Sequence, residues 1–421
     1  MRLGVIGAGS TYTPELVEGI ATGRLGAPLD ELVLMDTDAD RLDVVGGLAE
    51  RMLAAAGWGG RVVRSTQLDA AIDGVDSAIV QFRIGGSTAR RIDEEVPLRH
   101  GVLGQETVGP GGWANALRTI PPMLAVAEAL ARRSPRAWLL DFANPVSIVT
   151  QALVDEGHRA VGLCNVAVGV QRAAAAHWGI DARRVEVESV GLNHLSWFRE
   201  VRRDGSPMLA ELLRDAADEI GEATKWSGDR LRRDGAIPSY YLRYYEEPDR
   251  VVEEQRAAGT RAEAVAAIER DLLAQYADPR LHEKPAALAL RGGAYYSEAA
   301  VDLVAALCGD RPARLVVDVR NGGAIPGLPD DLVVEVLCTV DRDGARPIPV
   351  QPLGEPARAL VERVGAFGSA TALAARRGDR RAALAALALN PLLPDAGLAT
   401  RIGEELLAAH DAARTGAIGS P

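Results

Sequence analysis

Apolar stretches alternate with helical patterns through the first 165 residues. RLGVIGAG predicts a buried strand and a glycine turn, and TPELVEGIATGRL then has helical spacing with Pro14 suited to its first turn. Further strands are predicted at ELVLMD, VDSAIVQFRIGG, RAWLLDFANP and HRAVGLCN, and helices at DADRLDVVGGLAERMLAAAG and RTIPPMLAVAEALARR. Strands that alternate with helices are typical of a parallel α/β sheet. We expect this sheet to end near residues 165–170.

The pattern changes after that point. RRVEVESVGLNHLSWFREV alternates without an intervening helix, which indicates an antiparallel sheet. A polar helical region follows at about 207–280, and RLVVDVRNGGAIPGLP and DLVVEVLCTV add a strand pair before the closing helices. The sequence predicts an α/β fold with a Rossmann-like parallel domain at 1–168. A mixed α+β substrate domain follows at 169–421, an arrangement like that of lactate and malate dehydrogenases.

Composition narrows the class of protein. The 421 residues are too many for one ordinary core, and 48% hydrophobic with 25% charged residues is typical of a soluble globular chain. A net charge of −11 argues against nucleic-acid or membrane partners, because it leaves no broad basic face. The three cysteines form no CxxC pair, no apolar signal segment opens the chain, and no apolar run of about 18 residues occurs. We therefore expect a cytoplasmic protein.

The first glycine turn resembles a dinucleotide-binding loop. Gly7 and Gly9 follow the first strand, and Asp36 ends the second. Glycines allow a pyrophosphate to approach a helix N-terminus, and an aspartate in this place can bond ribose hydroxyls. The third glycine of the fingerprint is replaced by Tyr12. The pattern favours NAD binding, with an ordinary strand–helix turn as the alternative.

Cys164 and His194 are the candidate metal ligands. Each is predicted at a strand end, in VGLCN and GLNHLSW. Taken alone, each is better interpreted as a core residue, the cysteine as a small hydrophobe and the histidine as satisfied by backbone. Together, a thiolate and an imidazole are reasonable ligands for a divalent transition ion.

Two further clusters contain polar side chains suited to a site. Arg83, Arg90 and Arg91 follow a strand end, and GQETVGPGG places Glu106 in a predicted glycine-rich turn before a helix. Arginine forks bind phosphate, although such charge runs are more often solvated faces. The segment IPSYYLRYY groups four of the eight tyrosines, a pattern that helix packing explains for the most part.

Read in order, these motifs resemble a known enzyme family. They are similar to motifs of the family four glycoside hydrolases, enzymes that depend on NAD and a metal. In chain order they are GxGSxYTPxL, RxGGxxxRxxDExxP, GQETxGxGG, ALRTIP, FANP, GLCN, GLNHLSW, the tyrosine block and TRAEAV. The resemblance runs from residue 1 to about 340. Most other glycosidases use a pair of carboxylates, and this family is an exception to that mechanism.

The resemblance implies a role for each matching residue. Cys164 and His194 match the two protein ligands of a Mn²⁺-type ion, Tyr241 matches the catalytic base, and Glu106 matches the acid that raises its basicity. The remaining matches are NAD contacts at Gly7, Gly9, Ser10 and Asp36, and substrate contacts at Arg90, Asn144, Asn165 and Arg261, with the arginines suited to a sugar 6-phosphate.

Asn165 bears on the substrate. Members acting on α-glycosides carry an acidic proton donor after the cysteine, whereas the Cys-Asn pair is similar to the 6-phospho-β-glucosidases. The implied chemistry starts with hydride transfer from C3 of the sugar to NAD⁺. Removal of the C2 proton and loss of the aglycone follow, then water adds and hydride returns.

Two departures leave alternatives open. The family's proline after CN is absent from CNVAVG, and Arg91 stands beside Arg90, so either arginine could meet the phosphate. A non-phosphorylated or α-linked glycoside is therefore an alternative substrate. A hydroxy-acid dehydrogenase using NAD, or a nucleotide-sensing protein, would be an alternative function. The family likeness also implies a homodimer or homotetramer.

Overall fold

The computed structural model describes residues 1–23, 25, 28–291 and 296–418. Within them the strands are β1 (Arg2–Ile6), β2 (Glu31–Met35), β3 (Arg61–Ser65), β4 (Ser77–Val80), β5 (Trp138–Asp141), β6 (Ala160–Gly162), β7 (Val185–Leu192), β8 (Leu195–Arg203), β9 (Ser206–Pro207), β10 (Ile237–Pro238), β11 (Ala313–Arg320), β12 (Val333–Asp341) and β13 (Gly344–Pro347).

Helices occupy most of the chain between these strands. They are α1 (Thr13–Ala21), α2 (Ala39–Ala55), α3 (Leu68–Ile72), α4 (Gly86–Arg99), α5 (Gly109–Arg133), α6 (Val146–Asp155), α7 (Val166–Trp178), α8 (Leu209–Thr224), α9 (Gly228–Asp234), α10 (Arg243–Glu246), α11 (Pro248–Ala258), α12 (Arg261–Tyr276), α13 (Tyr296–Cys308), α14 (Glu355–Arg377), α15 (Arg380–Leu387) and α16 (Ala396–Ile418). None of the described helices combines the length and the apolar composition that a membrane span requires.

The main sheet has the strand order of a dinucleotide-binding fold. Its parallel part runs β3-β2-β1-β4-β5-β6. This order reverses direction at β1, the place where doubly wound sheets bind nucleotides. Apolar clusters cover both faces of the sheet. The predicted Rossmann-like α/β domain is confirmed.

The parallel part ends at β6, close to the predicted limit of residues 165–170, but the sheet itself continues. The strands β11, β12 and β13 continue it beyond β6, all antiparallel, with Asp318 opposite Gly162. Buried apolar strands such as LVVDV carry no mark of the sheet they join, because both faces are covered. The boundary at residue 168 stays a prediction, since one sheet contains strands from both sides of it.

A smaller antiparallel sheet lies against this extension. It has the order β10-β8-β7, with β9 added to β8, as the alternating pattern predicted. Its strand β7 packs against β12. The turn between β7 and β8 contains Asn193 and His194, with His194 in a left-handed conformation at a φ of 62°. This turn brings the second sheet to the carboxyl edge of the first.

Three local predictions were incomplete. The strand β3 was missed because RVVRS is a short edge strand with exposed arginines, and the charged helix α4 was not predicted after β4. The GPGG segment is helical, since α5 begins at Gly109. A Cβ at Gly111 would lie 2.3 Å from the Gln105 carbonyl oxygen and 2.4 Å from that of Asp93. Glycine here permits close packing of α5 on α4, so the predicted turn that holds Glu106 ends before the GPGG segment.

Candidate active site

One cavity of about 1360 Å³ opens at the carboxyl ends of the parallel strands. All twelve residues that the sequence marked for a site line it: Gly7, Gly9, Ser10, Asp36, Arg90, Glu106, Asn144, Cys164, Asn165, His194, Tyr241 and Arg261. They come from segments spread over more than 250 positions. Their convergence at one edge of the sheet makes this cavity the candidate active site.

The glycine loop forms a cradle between β1 and α1. Gly7 has a φ of 87°, and a Cβ there would lie 2.8 Å from the backbone nitrogen of Phe82. The Gly9 amide donates to Oδ2 of Asp36 at 2.7 Å, and the Asp38 amide donates to Oδ1 at 3.0 Å. Both glycines line the cavity near the start of α1, an arrangement that suits a dinucleotide pyrophosphate.

Tyr12 takes the place of the third glycine without blocking the cradle. It precedes α1, and the Arg291 guanidinium lies 4.4 Å from its ring centroid. Arg291 is held in turn by Glu269, whose Oε1 accepts from its Nη2 at 2.6 Å. Another wall of the nucleotide region is therefore built by α12 and the segment after it.

Cys164 and His194 are both buried, and they belong to different sheets' loops. Cys164 lies two residues beyond β6 and just before α7, while His194 lies in the β7–β8 turn. Burial lowers the pKa of His194 to about 3, so its imidazole is neutral at pH 7. Its Nδ1 has no hydrogen-bond partner within the part of the chain that the structure describes.

The Cys164 thiol has a mixed environment. Burial raises its pKa, and nearby Glu335 raises it further, whereas a hydrogen bond from the Asn193 side chain lowers it. A buried thiol, a neutral imidazole and an unpartnered ring nitrogen suit a transition ion with two protein ligands. The described residues hold no cluster of three or more His, Cys, Asp or Glu that could bind a metal without substrate or water.

Tyr241 lies directly against His194. It belongs to the 3₁₀ turn Tyr240–Leu242, and the two rings stack with centroids 3.6 Å apart at an angle of 14°. Burial raises the pKa of Tyr241 well above its ordinary value of 10, and the charges of Cys164 and Glu106 raise it further. The phenol is therefore protonated at neutral pH unless positive charge is added beside it.

Glu106 joins two arginines at the cavity wall. Its Oε1 accepts from Arg83 Nη2 at 3.0 Å and lies 3.3 Å from Arg90 Nη1. Arg90 Nε donates to Glu94 at 2.8 Å, so this guanidinium is placed between two carboxylates. Arg91 is exposed, pairs with Glu95 and lies outside the cavity lining. The structure thus separates the two neighbouring arginines that the sequence could not.

Arg261 differs from Arg90 in its partners. It begins α12, is exposed, and donates to the carbonyl oxygens of Leu290 and Arg291 at 3.2 and 2.9 Å. No carboxylate lies within ion-pair distance of Arg261 among the ion pairs of the described residues. Asn144 also lines the cavity, and its buried Oδ1 has no hydrogen-bond partner in the described part of the chain.

Sequence reasoning missed several side chains that shape the site. Arg291 and Glu269 support the nucleotide region, and Asn193 and Glu335 support the Cys164–His194 pair. A signal was present for Glu335, since it is the lone charged residue in the apolar run LVVEVLC. A carboxylate inside such a run is rarely left without partners.

Comparison with known proteins assigns the family. The model described as family 4 glycosyl hydrolase matches residues 2–179, and that of the family 4 glycosyl hydrolase C-terminal domain matches residues 189–393. The chain belongs to family 4 of the glycosyl hydrolases. This family 4 chain is a glycosidase, which confirms the resemblance seen in its motifs.

Individual relatives cover nearly the whole family 4 chain. A probable 6-phospho-beta-glucosidase of Bacillus subtilis is 39% identical over 427 residues, covering 98% of this chain and 97% of the relative. The 6-phospho-beta glucosidase of Thermotoga maritima, solved with manganese, NAD⁺ and glucose-6-phosphate, superposes with a TM-score of 0.91 at 30% identity, covering 98% of each chain.

A more distant likeness concerns the fold alone. Malate dehydrogenase from Salinibacter ruber superposes with a TM-score of 0.55 at 16% identity, covering 90% of this chain and 99% of the other. The predicted likeness of the fold to that of malate dehydrogenase is confirmed. At this identity the match carries no support for hydroxy-acid dehydrogenase chemistry.

Proposed function

We propose that this chain hydrolyses 6-phospho-β-glucosides with the help of NAD and a divalent ion such as Mn²⁺. The observation that carries the proposal is the meeting of a glycine cradle, a Cys164–His194 pair and Tyr241 in one cavity. The similar proteins from Bacillus subtilis and Thermotoga maritima carry names of this activity. A dehydrogenase-like fold within a glycosidase is explained if the reaction passes through oxidised sugar.

The geometry of the loops supports a set of cofactor contacts. Gly7, Gly9 and Ser10 hold the NAD pyrophosphate region, and Asp36 holds a ribose hydroxyl while it ties down the loop through Gly9. Cys164 and His194 hold the metal. When bound, NAD supplies reversible hydride transfer at C3, and the metal supplies Lewis-acid polarisation and positive charge near Tyr241.

The protein's own proton chemistry centres on Tyr241. Its phenolate takes the C2 proton of the sugar, and stacking on His194 fixes where its oxygen can reach. Glu106 keeps the phenolate strongly basic, because its negative charge raises the pKa of Tyr241. Arg83 and Arg90 hold the Glu106 carboxylate in place from two sides.

Charged and neutral side chains bind different parts of the sugar. Arg261 has no carboxylate partner among the described ion pairs, so its guanidinium is the better match for a 6-phosphate, and Arg90, placed between Glu94 and Glu106, contributes less net charge. Asn144 presents an unpartnered buried Oδ1 for a sugar hydroxyl, as far as the described residues extend. Asn165 follows Cys164 and cannot donate a carboxylic proton, which favours the β-linked substrate.

The test is release of nitrophenol from a nitrophenyl β-glucoside 6-phosphate, with and without NAD⁺ and Mn²⁺. We expect release to require both additions, with no lasting NADH absorbance. The unphosphorylated glucoside serves as the control. Release of nitrophenol from the unphosphorylated glucoside alone would be consistent with the mechanism, but it would overturn the phosphate-binding roles of Arg261 and Arg90. No release from either, with NADH accumulating on a hydroxy acid, would overturn the proposal.

Two broader properties belong to the same proposal. The chain works in the cytoplasm, because Cys164 must stay a reduced thiol and all three cysteines are unpaired. It forms a homodimer or homotetramer, a proposal supported by the family likeness. Sedimentation velocity of the purified protein tests the assembly, and a single monomer boundary at micromolar concentration would contradict it.

A further inference from the structure

A buried carboxyl group lies behind the His194 turn and outside the cavity. Glu335 projects from β12 toward the smaller sheet and is almost fully buried. It accepts three hydrogen bonds, from Ser196 Oγ at 2.9 Å, Asn193 Nδ2 at 3.1 Å and Ser189 Oγ at 3.5 Å. All three donors come from the β7–β8 hairpin. Glu335 therefore fastens both arms of the hairpin that carries His194.

The turn that Glu335 fastens is one that needs support. His194 adopts a φ of 62°, which a residue with a Cβ rarely takes, and such a conformation costs on the order of 1–3 kcal/mol. Gly191 lies so close to the opposite strand that a Cβ there would lie 2.2 Å from the Leu195 carbonyl oxygen. The hairpin end is therefore tight, and the donors to Glu335 are side chains near it in sequence.

Asn193 connects this anchor to the other candidate ligand. Its side-chain amide donates to Glu335 Oε2 at 3.1 Å and lies close enough to Cys164 to lower the pKa of the thiol. The same residue precedes His194 in the chain. Asn193, held by Glu335, thus lies near the Cys164 thiol and immediately precedes His194 in the chain. Groups of this kind set the orientation of metal ligands in many sites.

We propose that Glu335 is a positioning residue for the metal site, acting on Cys164 and His194 through Asn193. The carboxyl group turns the NH₂ of Asn193 toward the sulfur and holds the His194 turn against β12. This inference rests on the metal assignment in the proposed function. It requires nothing of the substrate, so it can be tested without any sugar.

The test is Co²⁺ binding by the metal-free, full-length protein, followed through thiolate-to-cobalt charge-transfer absorption. We expect Glu335→Gln to weaken Co²⁺ binding about 10- to 100-fold, the usual cost of losing an outer partner of a metal ligand. The matched control is Glu200→Gln. Glu200 lies on β8 and accepts three backbone N–H groups through Oε1, away from the turn, so its variant should bind Co²⁺ as the wild type does.

A double-mutant cycle tests the route through Asn193. We expect Asn193→Ala to weaken Co²⁺ binding and change the absorption band, and Glu335→Gln to have less than about a threefold further effect in that background, because coupled residues are not additive. Asn193→Ala also serves if Glu335→Gln does not fold. A full effect of Glu335→Gln in the Asn193→Ala background would overturn the proposed route.

The outcomes separate this inference from the proposed function. A wild-type thiolate–cobalt band with unchanged affinity in Glu335→Gln and Asn193→Ala would overturn the positioning role and leave the glycosidase proposal standing. Absence of the band in the wild type would overturn the metal assignment, and the inference with it. An equal loss of Co²⁺ affinity in Glu335→Gln and Glu200→Gln would show general destabilisation of the hairpin. That result would also overturn the positioning role of Glu335.

Discussion

Two tyrosines four residues apart show how much the surroundings of a side chain decide its use. Tyr241 lines the cavity and stacks on His194, whereas Tyr245 packs into the main core and does not line it. Burial raises the pKa of both phenols. Only Tyr241 lies beside groups that a substrate could reach, so the same side chain has a different use at each position.

We expect Tyr241→Phe to lower kcat by roughly 10²–10⁴-fold, the usual contribution of a general base. Exchange of the C2 proton of the substrate with solvent deuterium should stop as well, and NMR in D₂O measures it. Tyr245→Phe is the control, because it removes the same hydroxyl outside the cavity. Undiminished exchange in Tyr241→Phe would move the base to another residue.

We expect Cys164→Ser to reduce Mn²⁺ affinity at least tenfold while the fold is kept, since a serine hydroxyl stays protonated where a thiol can ionise. Equilibrium dialysis measures the affinity, and circular dichroism checks the fold. Cys308→Ser provides the comparison, because Cys308 is a free thiol outside the cavity. If Cys164→Ser turned over substrate at the wild-type rate with limiting Mn²⁺, Cys164 would not be a metal ligand.

The sequence located the cavity residues better than their partners. The twelve predicted residues include several that follow strand ends, and parallel strands bring their carboxyl ends to one edge. Asn193 and Glu335 were not predicted because their contacts join β12 to a hairpin about 140 residues earlier. Pairing across such a distance leaves no local pattern, although the charged residue in LVVEVLC was a sign of it.

At the scale of elements, the glycine loop and the end of β2 act as one unit. Asp36 accepts from the amides of Gly9 and Asp38, and Arg41 Nε donates to the Gly9 carbonyl at 3.1 Å. The β1–α1 loop is therefore fixed by the strand next to it. A change at Asp36 would therefore alter the shape of the loop as well as the proposed ribose contact.

We expect Asp36→Ala to weaken NAD⁺ binding about 10- to 100-fold, because hydrogen bonds to a charged group contribute about 1.5–3 kcal/mol. Isothermal titration calorimetry with NAD⁺ measures the dissociation constant. Asp40→Ala is the matched variant, since Asp40 is exposed in the first turn of α2 and lies outside the cavity. An unchanged dissociation constant in Asp36→Ala would place the ribose contact elsewhere.

Elements with clear periodicity were predicted and those defined by packing were not. The helix α1 and the β7–β8 hairpin agree with the sequence pattern. The extension of the main sheet by β11–β13 was not predicted, because alternation and apolar runs show burial but not the identity of the neighbouring strand. The early start of α5 was missed since its glycines, which usually disfavour a helix, serve the contact with α4.

At the scale of the whole molecule, three strands of the main sheet carry buried carboxyl groups. Asp141 on β5, Asp318 on β11 and Glu335 on β12 are almost fully buried, and burial raises the pKa of each. For Asp141 the pKa rises to about 8, although the Ala143 amide and the Thr150 hydroxyl donate to it. The folded molecule therefore keeps protons that the unfolded chain loses.

This proton retention makes stability depend on pH. Unfolded Asp141 loses its proton near its ordinary pKa of 3.8 and the folded form near 8, so stability from this group falls as pH rises between about 4 and 8. Asp141→Asn cannot ionise. We expect its midpoint temperature to fall less than that of the wild type between pH 5 and pH 8, as measured by calorimetry. Parallel curves for the two proteins would show that Asp141 ionises normally.

The antiparallel extension of the main sheet has a consequence for synthesis on the ribosome. The outer edge of β6 is covered by β11, and about 150 residues separate the two strands in the chain. At about 5–20 residues per second, that edge waits roughly 8–30 s for its partner. An open strand edge invites pairing with other nascent chains. Because β6 is only three residues long, it offers such chains few hydrogen bonds, and its shortness protects the growing polypeptide from aggregation.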